Sequence, residues 1–225
     1  MRNTIHLIVT LLLATATACT SDRAPSTPPT TTSLDSTEQQ ITADEIDLPS
    51  TSEEQIVEHI NRELSSGRIF NQILLEHRFG MSSAQVYALL KDLTATGRMY
   101  KVPTPEGKRK YVYDMDLPEL GSVRMLFDAY YVDDELYEIV TRPVLPERAS
   151  PTDFVAQAHS ILTADYGRAD FDVPSPDSPC AQHLWVDGNR MVSLTCDDKG
   201  AEMVYTDLLR AQRADALEDP TVDYD

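Results

Sequence analysis

Residues 180–196, CAQHLWVDGNRMVSLTC, constrain this chain more than any other stretch. Apolar and polar residues run into Asp187-Gly188-Asn189 and out again, the pattern of a β-hairpin. Read as a three-residue loop centred on Gly188, the turn sets Val186 opposite Arg190, Trp185 opposite Met191 and Leu184 opposite Val192. The same register sets Cys180 opposite Cys196. Directly opposed residues of a non-hydrogen-bonded antiparallel pair are close enough for a disulfide, so a Cys180–Cys196 bridge is expected. A register shifted by one residue, or two free thiols, are the alternatives. Trp185 is expected to pack on Met191, with a partner hot spot as its other role.

The chain has three cysteines, so the bridge leaves Cys19 to be explained. Residues 1–18 read as a secretory signal: Arg2 is the charged start, Ile5 to Leu13 the apolar run, Ala14 to Ala18 the small residues before a cut. The apolar run is too short to span a bilayer as a helix. Ala16-Thr17-Ala18-Cys19 resembles the lipobox of bacterial lipoproteins. That resemblance implies a palmitate-type acylation of Cys19, which becomes the mature N-terminus. Thr20 then implies the outer membrane, periplasmic side, in a host with two membranes. Each buried acyl methylene contributes about 0.8 kcal/mol, so several chains together hold a folded domain at a membrane. A plain signal peptide with an unmodified cysteine is the alternative. The exported location is oxidising, which suits the expected disulfide. Residues 19–50 are rich in Ser, Thr, Pro and acids and cannot bury enough surface to offset ordering entropy; they are expected to be a disordered tether.

Charge narrows the list of partners. The formal charge is -18, a surface that repels phosphate backbones as a whole. Residues 51–110 carry nine Lys/Arg against seven acids, whereas 111–225 carry eight against twenty-four. Nucleic acid is therefore not an expected partner, and the mild positive balance of 51–110 is its one exception.

Order is expected from Ser52. Ser52-Glu53-Glu54-Gln55 is a capping box, and Ile56, Ile60 and Leu64 share one helical face. Ile69, Phe70, Ile73 and Leu74 predict a second short helix ending near His77. Ser82-Ser83-Ala84-Gln85 is another capping box, followed by the stripe Val86, Leu89, Leu90, Leu93 and then Gly97, placed for a left-handed C-terminal residue. Beyond Gly97 the period becomes two. Strands are expected at 98–102 and 108–115, and a hairpin around Asp133-Asp134. Ser150 and Pro151 open a third long helix with Phe154, Ala158, Ile161 and Leu162 inward. Residues 168–179 read as an acidic, proline-rich loop, "AEMVY" (201–205) as a strand and "TDLLRAQRADAL" (206–217) as a closing helix. The divisions are thus 51–148, a helical plus β-hairpin subdomain; 149–217, a helix plus disulfide-linked hairpin; and 218–225, an acidic tail. The expected class is α+β, helices packed on antiparallel sheet, with two tandem helix-plus-sheet units.

Two resemblances bear on these segments. "SSAQVYALLKDLTATGRMYKV" followed by "EGKRKYVY" resembles the recognition helix and basic wing of a winged helix over 51–115, which implies nucleic-acid binding. Gly80-Met81-Ser82-Ser83-Ala84-Gln85-Val86, the run Phe127 to Ile139, and a second half with Tyr166-Gly167, Trp185 and "MVYTDLL" resemble small envelope lipoproteins of the SmpA/BamE type. They also resemble the tandem version of that fold in the β-lactamase inhibitory protein. This second resemblance covers about two thirds of the chain and implies a non-catalytic domain that binds another envelope protein, in assembly or maintenance of the envelope. A ligand-binding or hydrolytic lipoprotein is a further alternative, without a motif behind it. His59, His77, His159 and His183 are isolated in sequence, with no H-E-x-x-H, and His183 is expected at the surface rather than as a ligand. Asp133-Asp134 and Asp197-Asp198 are expected as turn residues. No catalytic residue, cofactor or metal site is expected; Tyr130, Tyr131 and Trp185 are the candidate partner surface.

Overall fold

The computed structural model describes residues 52–218, apart from 104–106, 176–177 and 198–199. The signal peptide, Cys19, the tether and residues 219–225 of the acidic tail lie outside the described residues.

The first three helices begin with the same local device. In α1 (Glu53–Ser65) the Ser52 hydroxyl accepts from the Gln55 N–H while the Gln55 amide oxygen accepts from Ser52 N–H. Ser82 and Gln85 repeat this at α2 (Ser83–Ala95). Ser150 and Asp153 repeat it at α3 (Pro151–Tyr166), with Pro151 in the first turn. The Ser150 hydrogen bonds hold the Asp153 carboxyl below its usual range. Each such cap contributes about 1 kcal/mol and fixes where its helix starts.

The strands are β1 (Tyr100–Pro103), β2 (Arg109–Leu117), β3 (Gly121–Val132), β4 (Glu135–Val144), β5 (Phe171–Val173), β6 (Gln182–Asp187), β7 (Arg190–Cys196) and β8 (Ala201–Asp207), followed by α4 (Leu208–Glu218). They form one eight-stranded antiparallel sheet in the order β1-β2-β3-β4-β8-β7-β6-β5. Each half is a four-stranded meander, and the last strands of the two halves, β4 and β8, meet antiparallel in the middle. The expected α+β class and the tandem helix-plus-sheet plan are both present. The halves share a core rather than owning one each.

Pleating sorts the side chains onto two faces. One face presents Tyr113, Val123, Met125, Phe127, Ile139, Trp185, Val192, Leu194, Met203 and Tyr205. The apolar stripes of α2 (Val86, Leu90, Leu93) and α3 (Phe154, Val155, Ala158, Leu162) close over it. Phe154 is fully buried there. On the other face a smaller cluster joins Ile56 and Ile60 of α1 to Leu184, Val186 and Met191 of β6 and β7 and Leu208 of α4. Helices α1 and α2 therefore lie on opposite sides of the sheet.

Four expectations change. Residues 69–77 are not a helix. Leu75 and Glu76 both take positive φ, His77 N–H donates to Leu74 O (3.0 Å), and Gln72 bridges Arg78, which makes a tight reversal. Ile69 is 56% exposed, whereas Ile73 and Phe79 are buried. Without that helix, and with α1 across the sheet from α2, the winged-helix arrangement of 51–115 is absent; the expected wing is two strands of the large sheet. The 180–196 hairpin is shifted by one residue: Asp187 pairs Arg190, Val186 pairs Met191 and Trp185 pairs Val192. Its loop is Gly188-Asn189, with Gly188 at φ +57, the residue order of a type II′ turn. Lastly, part of the expected loop 168–179 is an edge strand, β5.

Cys180 and Cys196 nonetheless lie at disulfide-bonding distance, with Cα atoms 5.9 Å apart. The ladder between β6 and β7 ends at His183–Leu194, and the chain before it bends. The Ser178 hydroxyl sits 2.8 Å from Cys180 O and 2.5 Å from Cys196 O and accepts from Cys180 N–H. That bend absorbs the extra residue and brings Cys180 back to Cys196.

Candidate functional site

The shift in register decides where Trp185 goes. It turns away from Met191, which lies on the α1 face, and enters the main core at 3% exposure. Its indole N–H donates to Gly167 O (2.9 Å), at the C-terminus of α3. Trp185 is therefore a buried, fully paired side chain and not part of an exposed surface. Tyr131 points the same way and packs partly against the core. Burial and the nearby Asp134 charge raise the Tyr131 phenol above its usual pKa. Tyr130, one residue earlier, is half-buried on the opposite face. The three candidate partner residues thus separate, and Tyr130 alone remains on the α1 side of the sheet.

Over β1 to β4 that side is covered only in part among the described residues. Helix α4 packs against β3 and β4 near their turn, and Val112, Val132 and Val140 are buried on this side; the apolar cluster that includes α1 is confined to β6, β7 and the start of α4. Charges cross it in a ladder. Asp128 accepts from Lys110 (2.9 Å) and Arg142 (3.1 Å), and Arg142 also reaches Glu202 (3.0 Å). The Tyr100 hydroxyl donates to Asp114 (2.7 Å) and accepts from Arg124 (3.0 Å). Half-buried Leu126 and Tyr130 lie among these groups, and Val144 at its margin is 45% exposed. Such exposed pairs contribute little stability; their effect is to present alternating charge on a stiff surface.

A second cluster lies on the core face, at the β5 edge. Asp172 pairs across the ladder with His183, so both side chains leave the same face. His183 Nδ1 is 2.6 Å from Asp172 Oδ1. His159 comes down from α3, one position past the buried Ala158, and its ring centre is 4.4 Å from that of His183 and 5.5 Å from that of Trp185. One donor atom from each of His159, Asp172 and His183 lies within 4.8 Å of the others. Both histidines are half-buried; the Asp172 side chain is 53% exposed. Desolvation first, and the neighbouring His183 second, push the His159 pKa down, against Asp172. Sequence reading missed this group because its members are 13 and 11 residues apart on three elements. The single available signal was that His183 and Trp185 share a strand face.

A cleft of about 370 Å³ runs between α1 and the β6–β7 turn, lined among others by Glu63, Arg68, Tyr166, Asp170, Asp187 and Arg190. Several of its charges pair with one another. Arg68 pairs with Glu63 and Asp187, and Arg190 lies over the rings of Phe70 (5.0 Å) and Tyr166 (4.8 Å). The Gly188 N–H holds the Glu63 carboxyl below its usual range, with Arg68 adding to it. This network fastens α1 to the hairpin turn.

The disulfide pair is the one sequence-chosen pair that the fold brings together; Cys19 lies outside the described residues. Compared with known proteins, the chain matches no family model, and no curated protein or solved structure is significantly similar to it.

Proposed function

We propose that this chain is an exported lipoprotein, held at the membrane by acylated Cys19, whose folded part is a non-catalytic interaction domain for another envelope protein. The outer membrane, periplasmic side, is its place in a host with two membranes, and envelope assembly or maintenance its role. The observation that carries the interaction reading is the charged, half-buried part of the β1–β4 face that α4 leaves uncovered. It is a stiff antiparallel surface with tyrosine, leucine and alternating charge, while the opposite face is closed by α2 and α3. Surfaces that bind proteins combine aromatic and arginine groups with a polar surround. The lipobox resemblance and the apolar run before Cys19 support the anchor, and the tandem helix-plus-meander plan supports the SmpA/BamE-type reading. The overall acidity supports a protein rather than nucleic acid as partner. Substitution Cys19→Ser tests the anchor: the variant should leave the membrane fraction for the soluble one. Unchanged attachment would refute it. For the surface, Arg124→Glu with Tyr130→Ala should abolish cross-linking to whatever envelope protein the wild type captures, and unaltered cross-linking would refute it.

A further inference from the structure

We propose that His159, Asp172 and His183 form a binding site for one late first-row divalent cation, of the class of zinc, copper(II) or nickel(II). Three separate elements converge to make it: α3 supplies His159, edge strand β5 supplies Asp172 and β6 supplies His183. Each is fixed independently. The Ser150 cap sets the start of α3, the ladder sets Asp172 opposite His183, and Trp185 ties β6 to the end of α3 through Gly167. A four-coordinate ion with bonds of about 2.0–2.1 Å needs donor atoms roughly 3.4 Å apart. The three donors already lie within 4.8 Å of one another, close to the spacing an ion needs.

The donor set selects the ion. Two imidazoles and one carboxylate suit borderline cations, whereas calcium and magnesium prefer oxygen throughout. An ion pair would need His183 and Asp172 alone. The second imidazole, with its ring centre 4.4 Å from the first, gives the pair no complementary charge but supplies a third donor. The chain's formal charge of -18 also favours cations near it. Three protein donors leave a coordination position for water or for a side chain of a bound protein.

The test uses the purified protein after treatment with a chelator. Equilibrium dialysis against zinc chloride, with metal counted by atomic emission, should give one zinc per chain. Copper(II) should quench the fluorescence of Trp185, the sole tryptophan, saturably, and zinc should compete with it. The double variant His159→Gln/His183→Gln keeps side-chain bulk and should lose both signals. Asp172→Asn should weaken zinc binding about 10–100-fold whether Asp172 binds the ion or orients His183. Circular dichroism and the Trp185 emission maximum establish that each variant is folded; if the glutamine pair is not, His183→Asn and His159→Asn singly take its place. Absence of zinc from the wild type, undiminished binding in the folded histidine variants, or retention of calcium in preference to zinc would each overturn the assignment.

Discussion

Asp207 is the residue whose replacement separates two kinds of stabilisation. It ends β8 and opens α4, and its side chain is completely buried. Its carboxylate accepts from the backbone N–H groups of Leu209 (3.0 Å) and Arg210 (3.3 Å), and pairs with the Arg210 guanidinium. Arg210 in turn reaches Glu135 (3.1 Å), which also receives Arg213, so the junction is tied to the β3–β4 turn. Asp207→Asn keeps an acceptor for the two N–H groups and removes the charge. Asp207→Ala removes both. Losing a cap costs about 1 kcal/mol. Breaking a fully buried ion pair costs about 3–5 kcal/mol, but the Arg210 side chain is 24% exposed and keeps Glu135, so about 2 kcal/mol is the reasoned figure. The alanine variant should therefore lose about 3 kcal/mol and the asparagine variant about 2, measured by urea unfolding with Trp185 emission as the probe. In a domain of this size that is a fall in Tm of about 6–12 °C for alanine. Equal losses in the two variants would refute the capping role, and a loss under about 0.5 kcal/mol in both would refute the buried network.

Gly188→Ala should destabilise by about 2–4 kcal/mol, because the residue has φ +57 and an added Cβ would lie 2.2 Å from the Arg68 carbonyl oxygen; a midpoint like wild type would contradict the turn. Replacing Cys180 and Cys196 together by Ser should cost about 3 kcal/mol in the chain-entropy model, for a bridge spanning 16 residues; reduced and oxidised proteins of equal stability would contradict it. His77 is fully buried, stacked near Phe127, with no hydrogen-bond partner for Nε2 among the described residues, and burial pushes its pKa down. The unfolded chain then binds the extra proton near pH 6.5, so this contribution is complete above that pH and declines as pH falls below it. His77→Leu should flatten unfolding free energy between pH 7 and 5 relative to wild type; an unchanged slope would refute the buried neutral imidazole.

Local signals were legible and longer-range ones were not. Both Ser-x-x-Gln boxes and Ser150-Pro151 mark true helix starts, because a cap is made by residues three apart in the chain. The Asp133-Asp134 turn was legible too, and both residues do take positive φ, with Asp134 also accepting from Ser83 N–H at the start of α2. The stretch 69–77 misleads because Ile69, Phe70, Ile73 and Leu74 have helical spacing, while the reversal is made by Leu75 and Glu76, residues that carry no turn signal. The hairpin was right in kind and wrong by one residue. Asp-Gly-Asn fits a loop of two or three, and that one step moved Trp185 from the expected Met191 side into the core. The His159–Asp172–His183 group needed that register and the unforeseen β5 together, so nothing local could announce it.

The most direct measurement of the central claim is an intact mass of the protein isolated from its cells after thiol alkylation without reduction. A lipoprotein with a closed Cys180–Cys196 bridge gives a chain that begins at Cys19, carries lipid mass and has no alkylated thiol. A full-length chain without lipid and with three alkylated cysteines would contradict both the anchor and the exported location.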